Sequence, residues 1–308
     1  MKILMATSET VPFSKSGGLA DVVGALSATL ATMGHEVRVF MPMYSFIEKE
    51  GWHKSLSFLI PMLGGNEKAE IFEKEENGVL YVGLSHPYFS KRLGIYGDTS
   101  FQPYSDNCPR FLCFAKAVAL YLAATDWKVD IVHCHDWTTG LVPHYLKYFK
   151  VETKTVFTIH NLAYQGVFPP FDAIISSSRI PHSALRGPKA HENINMMAAG
   201  LMDSDFITTV SPTYMEEIRQ SDMGSGLDDI LRNRKEVSRG IINGIDYNEW
   251  NPETDKDLIS NYSIENMEGK KKCKEEILKE FKIHGYDDKP LFAMISRLAD
   301  QKGFDELL

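Results

Sequence analysis

Between Lys2 and Met41 the chain runs apolar strand, polar loop, amphipathic helix, apolar strand, and that order leaves few folds open. Residues 2–6 (Lys-Ile-Leu-Met-Ala) read as a short buried strand. A polar loop with two adjacent glycines follows, and Leu19, Val22, Val23, Leu26 and Leu30 then share one helix face up to about Met33. Gly34 stands where a helix closes, and Glu36–Met41 reads as the next strand, ended by Pro42. Strand, crossover helix and strand in this order make a parallel pair.

The alternation continues along the chain. Helices are expected over 107–124 and 139–149, strands over 129–134, 155–159 and 206–210, and a further helix opens on Ser211-Pro212, with Ser as its cap and Pro at its first position. Residues 239–246 read as a last strand leaving into a turn. The stretch 44–104 is less regular, with hairpin strands around 56–60 and 79–84 and a Pro/Gly/Tyr-rich loop from Pro87 to Tyr104. The fold class expected is α/β, a doubly wound parallel sheet.

After Pro252 the composition turns polar. A Lys/Glu-rich helix is expected over about 264–281, with Glu275 and Lys279 paired and Ile277, Leu278 and Phe281 facing inward. Residues 291–295 read again as a buried strand, 296–302 as its loop and 303–308 as a helix opening. With 308 residues, the chain exceeds what one core comfortably supports. The organisation expected is a domain over 1–250, a linker over 251–289, and over 290–308 the first βα fragment of a second, truncated domain that cannot bury its own apolar face.

Composition narrows the partners. Lys and Arg number 33 against 41 Asp and Glu, a formal charge of −8, so nucleic acid is not expected as a partner. The cysteines, Cys108, Cys113, Cys134 and Cys273, form neither a C-x-x-C pair nor a disulfide framework, which points to a reducing compartment, the cytoplasm. No apolar run is long enough for a membrane span, and no leader pattern opens the chain, so no membrane partner is expected.

Chemistry concentrates in loops that follow strands. Lys15-Ser16-Gly17-Gly18 precedes a helix, where glycines admit a close ligand and the helix N-terminus offers free N–H groups to a phosphate; a tight turn explains the same glycines equally well. In His133-Cys134-His135-Asp136-Trp137 the two histidines share a strand face, but no zinc-like ligand set joins them, so no metal is expected. A satisfied core histidine is the better reading of His133, and Asp136 is the functional candidate at the strand end. His160 and Asn161 follow the next strand toward the same edge. Arg297 and Lys302 put two cations on one loop, which suits a departing diphosphate or simply a solvated surface.

Longer strings carry a resemblance. Lys15-x-Gly-Gly-Leu-Ala-Asp-Val-Val-Gly-Ala-Leu26, His160-Asn-Leu-Ala-Tyr-Gln-Gly166, Thr209-Val-Ser-Pro-Thr-Tyr214, Ile242-Asn-Gly-Ile-Asp-Tyr-Asn-Glu-Trp-Asn-Pro252 and Ser296-Arg-Leu-x-x-Gln-Lys-Gly303 occur in the order found in bacterial glycogen synthases and plant starch synthases. The chain resembles that family over nearly its whole length. The resemblance implies the GT-B type of fold, with two Rossmann-like domains, and a retaining, metal-independent transfer of glucose from ADP-glucose to the non-reducing end of an α-1,4-glucan. The nucleotide sugar is a substrate, and no cofactor is implied.

By the same resemblance, Lys15, Gly17, Gly18, Tyr96, Asn161 and Asn243 bind the donor, and Glu9 and Asp21 line the sugar and acceptor cleft. His160 sits beside the transferred glucose with Asp136, and Arg297 and Lys302 neutralise the leaving diphosphate. Two positions depart from the family: Thr138 stands where a His is common, and Ala198 where many members have Lys. The missing remainder of the second domain implies that this chain alone has little activity. The alternatives are a non-catalytic glucan-binding module or a related GT-B transferase with another donor or acceptor.

Overall fold

The structure is a computed structural model that describes residues 1–308 except 101, 170–178, 187–192, 286–287, 297, 299–301 and 308. The opening unit forms as the periodicity predicts: β1 (Lys2–Ala6), α1 (Gly18–Thr32) and β2 (Glu36–Pro42), with β1 and β2 parallel and Lys2 opposite Glu36. Gly34 closes α1 with φ +84°, a conformation that excludes most side chains.

Three strands follow: β3 (His53–Met62), β4 (Gly65–Glu76) and β5 (Val79–Ser85). Of these, β4 is absent from the sequence expectation. Its Lys/Glu-rich outer positions hide the alternation that buries Ala69 and Ile71. Next come α2 (Pro87–Ser90), α3 (Asn107–Ala124), β6 (Ile131–His135), α4 (Val142–Tyr148) and β7 (Lys154–Ile159). The helix expected from 139 starts later because a 3-10 turn at Trp137–Thr139 comes first.

A small sheet of β8 (Val167–Phe168), β9 (Leu185–Arg186) and β10 (Asn193–Asn195), in the order β8-β10-β9, precedes α5 (Met196–Asp203). Then come β11 (Phe206–Thr209), α6 (Pro212–Glu217), α7 (Asp228–Asn233) and β12 (Ser238–Gly240). Ser211 caps α6, its hydroxyl accepting from Tyr214 N at 3.2 Å.

The large sheet has the order β12-β11-β7-β6-β1-β2-β5-β4-β3. From β12 to β5 every pairing is parallel, and the β3–β4 hairpin extends the β5 edge antiparallel. The α/β parallel expectation therefore holds, with an antiparallel margin. The central strands are buried on both faces, and α3 is apolar nearly all round because it lies within the core, with Phe111, Phe114 and Val118 fully enclosed. Met196 and Met197 are core residues, and Cys108, Cys113 and Cys134 are buried free thiols.

The chain divides into two compact units, Met1–Gly244 and Ile245–Leu308. Sequence patterns were less reliable near and beyond that division. The strand expected over 239–246 ends at Gly240, for β12 is an edge strand with no further neighbour and Ile242 lies exposed. In the second unit α8 (Glu268–Glu280) forms, but of its expected inner face only Leu278 is buried; Phe281 is exposed, and Lys279 pairs with Glu276 rather than Glu275. Residues 291–296 form no strand, and Phe292 and Ile295 are 90% and 100% exposed. A strand needs a paired neighbour, and 245–308 supplies none among the described residues. Among the described residues, no helix is long and apolar enough to cross a membrane.

Candidate active site

Strand order decides where a ligand can enter. From β1 the chain goes to β2 on one side, and later to β6 on the other, so the loops leaving β1 and β6 diverge and open a crevice at the carboxyl edge. Glu9 to Gly17 form the first loop, Asp136 follows β6, and His160 and Asn161 follow β7.

Glu9 holds the first loop in shape. Although buried, its carboxylate accepts from Ser16 N, from Ser16 Oγ at 3.0 Å, from Gly17 N at 3.3 Å and from the Tyr96 hydroxyl at 2.8 Å. Ser8 Oγ joins the same group, 2.8 Å from Tyr96 Oη and accepting from Thr138 Oγ1 at 3.2 Å. Thr138 thus ties the loop after β6 to the loop after β1. Burial, reinforced by the charge of Glu9, raises the Tyr96 phenol well above its ordinary range, so it stays a donor.

Tyr96 is itself held from behind. Arg110 on α3 is fully buried and donates to the carbonyls of Tyr88 at 2.9 Å and Ile95 at 3.1 Å and to Asn107 Oδ1 at 2.6 Å. Nothing in the sequence around Arg110 signals this brace, since its partners are mostly backbone carbonyls of a distant loop.

With its loop so fixed, α1 presents its first turn outward. No side chain caps it, and a Cβ built on Gly17 or Gly18 meets no atom within 4 Å. Internal packing therefore does not require these glycines, and the helix N-terminus behind them is sterically open. Lys15 and Asp21 stand at the rim, exposed and paired at 2.7 Å.

Asp136 has φ +56° and ψ −178°, a conformation nearly reserved for glycine that costs another residue about 1–3 kcal/mol. Its Oδ1 accepts from His160 N at 2.8 Å and Asn161 N at 3.4 Å, so one carboxylate binds β6 to the loop after β7. Burial pushes its carboxyl up to about 7 against the pull of those two N–H groups, and the Glu9 charge adds to the rise. Among the described residues, Oδ2 makes no hydrogen bond.

The loop after β7 is pinned on its other side. Leu162 N donates to Tyr214 Oη at 3.1 Å, and Asn161 Oδ1 accepts from Ala163 N at 3.0 Å. Gly166, at φ +62°, lies so close to Trp137 that a Cβ would fall 2.3 Å from its ring. Trp137 in turn packs edge-on against Phe111 with centroids 4.8 Å apart.

His160 Nε2 lies 3.0 Å from His135 Nδ1, and the His135 ring lies over His133 with centroids 4.1 Å apart. His133, half-buried, has Nε2 2.6 Å from Thr158 Oγ1, so that nitrogen is engaged within the sheet. Burial lowers His133 and His160 to about 4, and holds His135 well below the ordinary range, with the neighbouring rings adding to the effect. All three imidazoles are neutral at pH 7. No group of three or more His, Cys, Asp or Glu among the described residues is placed to hold a metal ion.

The structure thus brings Glu9, Gly17, Gly18, Tyr96, Asp136, His160 and Asn161 together, with Lys15 and Asp21 on the rim. Asn243 lies in exposed coil at the end of the first unit, Lys302 is exposed in the second, and Arg297 lies outside the described residues. Ala198 is wholly buried in α5, its N–H donating to Asn195 Oδ1 at 2.9 Å. A separate pocket of about 470 Å³ is lined by Gln165, Asn193, Asn195 and Ser225 among others. Its amides are bonded to one another, Asn195 Nδ2 to Gln165 Oε1 at 2.7 Å and Gln165 Nε2 to Ser225 O at 2.9 Å.

Comparison with known proteins agrees with this geometry. The glycogen synthase of Geotalea daltonii is 40% identical over 318 residues, covering 100% of this chain and 65% of the relative. That of Geobacillus stearothermophilus is 39% identical over 321 residues, covering 99% of this chain and 64% of the relative. The chain thus spans about 65% of the length of these relatives. Among solved structures, the catalytic domain of starch synthase IV from Arabidopsis thaliana bound to ADP and acarbose superposes with a TM-score of 0.74 at 27% identity, over 91% of this chain and 58% of that one. The sequence model of the starch synthase catalytic domain matches residues 2–233, and the chain belongs to that family.

Proposed function

We propose that the protein is a glucosyltransferase that moves glucose from ADP-glucose to the non-reducing end of an α-1,4-glucan with retention, acting in the cytoplasm. One observation carries the reading: at the switch point of the sheet, the loop that leads into an uncapped helix N-terminus behind two sterically open glycines is tied through Ser8–Thr138 to the loop of a strained carboxylate and a neutral imidazole. Family membership supports it, as does the solved starch synthase IV domain with ADP and acarbose.

In this reading the N–H groups of Gly18 and Leu19, with Lys15, receive the diphosphate, whose charge grows as the bond to the glucosyl carbon breaks. The bond from the glucosyl carbon to the diphosphate oxygen breaks, the acceptor 4-hydroxyl bonds on the same face of the sugar, and its proton leaves on the departing ADP. Asp136 Oδ2 is free to accept from a sugar hydroxyl. A neutral His160 is compatible with the positive charge that develops on the glucosyl ring, which an imidazolium would oppose.

The test is incorporation of labelled glucose from ADP-glucose into maltooligosaccharide, by this chain and by one extended to the length of its relatives, run beside calorimetric titration with ADP. Transfer with an α-linked product supports the proposal, and ADP binding that Lys15→Ala weakens supports its donor half. Glucan binding with neither transfer nor ADP binding would replace it with the non-catalytic module. Transfer to fructose but not to maltooligosaccharide would point to a related transferase.

A further inference from the structure

Three histidines form a continuous line at the sheet's edge, with His135 fully buried between the half-buried His133 and His160. His133 and His135 project from the same face of β6, two residues apart, and His160 follows β7 by one residue. The line starts at Thr208 Oγ1, 2.6 Å from Thr158 Oγ1, which lies 2.6 Å from His133 Nε2. His133 is therefore fixed, and its ring covers that of His135. What remains open is which nitrogen of the His135–His160 pair carries the shared proton.

His135 Nε2 answers that question. It is buried and has no hydrogen-bond partner among the described residues. If His160 donated to His135 Nδ1, then neutral His135 would carry its proton on Nε2, as a buried N–H with no acceptor. Orphaned buried N–H groups are rarer than bare acceptors. The reverse assignment leaves only a lone pair at that position.

We propose that His135 is a positioning residue for His160, donating from Nδ1–H to His160 Nε2 and thereby fixing His160 as the Nδ1–H tautomer with its Nε2 turned away from the substrate. The inference rests on the glucosyltransferase reading for its consequence, not for its geometry. A nitrogen engaged in this way cannot take the proton of the acceptor hydroxyl, so His160 acts as a fixed neutral wall beside the sugar rather than as a base. Burying an unpaired nitrogen is also poor design for stability alone. A purely structural residue 135 would be at least as well served by leucine.

The test compares the wild-type chain with His135→Leu and His135→Asn, in which the Asn amide can replace the Nδ1–H donor. Histidine ¹⁵N spectra at neutral pH, assigned by loss of signal in His160→Gln, are expected to show wild-type His160 protonated at Nδ1. His135→Leu is expected to move the proton to Nε2 without lowering the Tm, and His135→Asn to restore the wild-type pattern. In glucosyl transfer, kcat is expected to fall about tenfold to a hundredfold in His135→Leu with little change in KM, and to recover in His135→Asn. A wild-type His160 protonated at Nε2, or spectra and kcat that ignore His135→Leu, would overturn the proposal. If neither this chain nor one extended to the length of its relatives transfers glucose, the functional reading fails while the spectra still decide the tautomer. If His135→Leu does not fold, the wild-type spectrum and His135→Asn decide it.

Discussion

Glu9, which is buried, and Asp136, which is half-buried, follow the neighbouring strands β1 and β6, and the molecule uses them in opposite ways. Glu9 receives donors from Ser16, Gly17 and Tyr96, and both its oxygens are engaged. Asp136 receives two N–H groups on one oxygen, in a backbone conformation nearly reserved for glycine, and its carboxyl is pushed up to about 7. The loop after β1 is built to stay still, whereas the loop after β6 holds a strained group with hydrogen-bonding capacity in reserve. Burial alone therefore does not mark a reacting group, and the number of donors supplied to the carboxylate separates scaffold from chemistry.

Removing the scaffold should do the most damage. Glu9→Ala leaves two backbone N–H groups and the Tyr96 hydroxyl without their acceptor, and urea unfolding is expected to show a loss of about 4 kcal/mol, with transfer activity abolished. If Glu9→Ala keeps wild-type stability, the loop is not held by this carboxylate and the contrast with Asp136 falls.

Asp136→Asn should sharpen the contrast, because asparagine keeps the shape of the side chain but removes the charge. The folded-state value of about 7 lies above the unfolded value of about 3.9, so the folded state binds more protons in that window. Stability from this group is complete below the unfolded value and is lost as pH rises through 7. The variant should therefore gain about 3 kcal/mol on the wild type between pH 4 and pH 8, while losing activity by at least about a hundredfold. The histidines act in the opposite sense, since their lowered values make stability fall as pH drops below about 6.5. They are common to both proteins and cancel in the difference. A constant stability difference across that range would show that Asp136 is an ordinary surface-like carboxylate.

Much of this contrast was legible in the sequence, but unevenly. The βαβ start, the parallel sheet and the loops that carry Gly17, Asp136 and His160 follow from apolar periodicity, because buried parallel strands and their crossover helices are strongly patterned. The strand β4 escaped because its solvent face is charged. The strand expected at 291–295 failed because an apolar run specifies a strand only when a neighbour exists to pair with it. Within the site, Glu9 and Asp136 look alike as letters. What distinguishes them is the supply of N–H groups and hydroxyls from Ser16, Tyr96 and His160, which only the folded chain brings together.

Smaller changes probe the boundary between the two roles. Tyr96→Phe removes one of the donors to Glu9 and the link to Ser8 but keeps the ring. A loss of about 1 kcal/mol in stability is expected, with a comparable several-fold loss of kcat/KM as the glycine loop loosens. A fall in activity far beyond this, at unchanged stability, would move Tyr96 from the scaffold into contact with substrate.

The smallest effect on the fold should come from Lys15→Ala. The Lys15–Asp21 pair is exposed on both sides, and such pairs are worth about 0.5 kcal/mol or less. Tm is thus expected to stay nearly constant. The free N–H groups behind Gly17 and Gly18 still attract a diphosphate in the variant, but without the added cation the Kd for ADP should rise about tenfold, roughly 1.4 kcal/mol. The effect should shrink as ionic strength increases, because an exposed charge is screened. An unchanged Kd in low salt would mean that the still loop after β1 does not face the diphosphate. Its rigidity would then serve only the fold, and the chemical burden would rest on the loops after β6 and β7 alone.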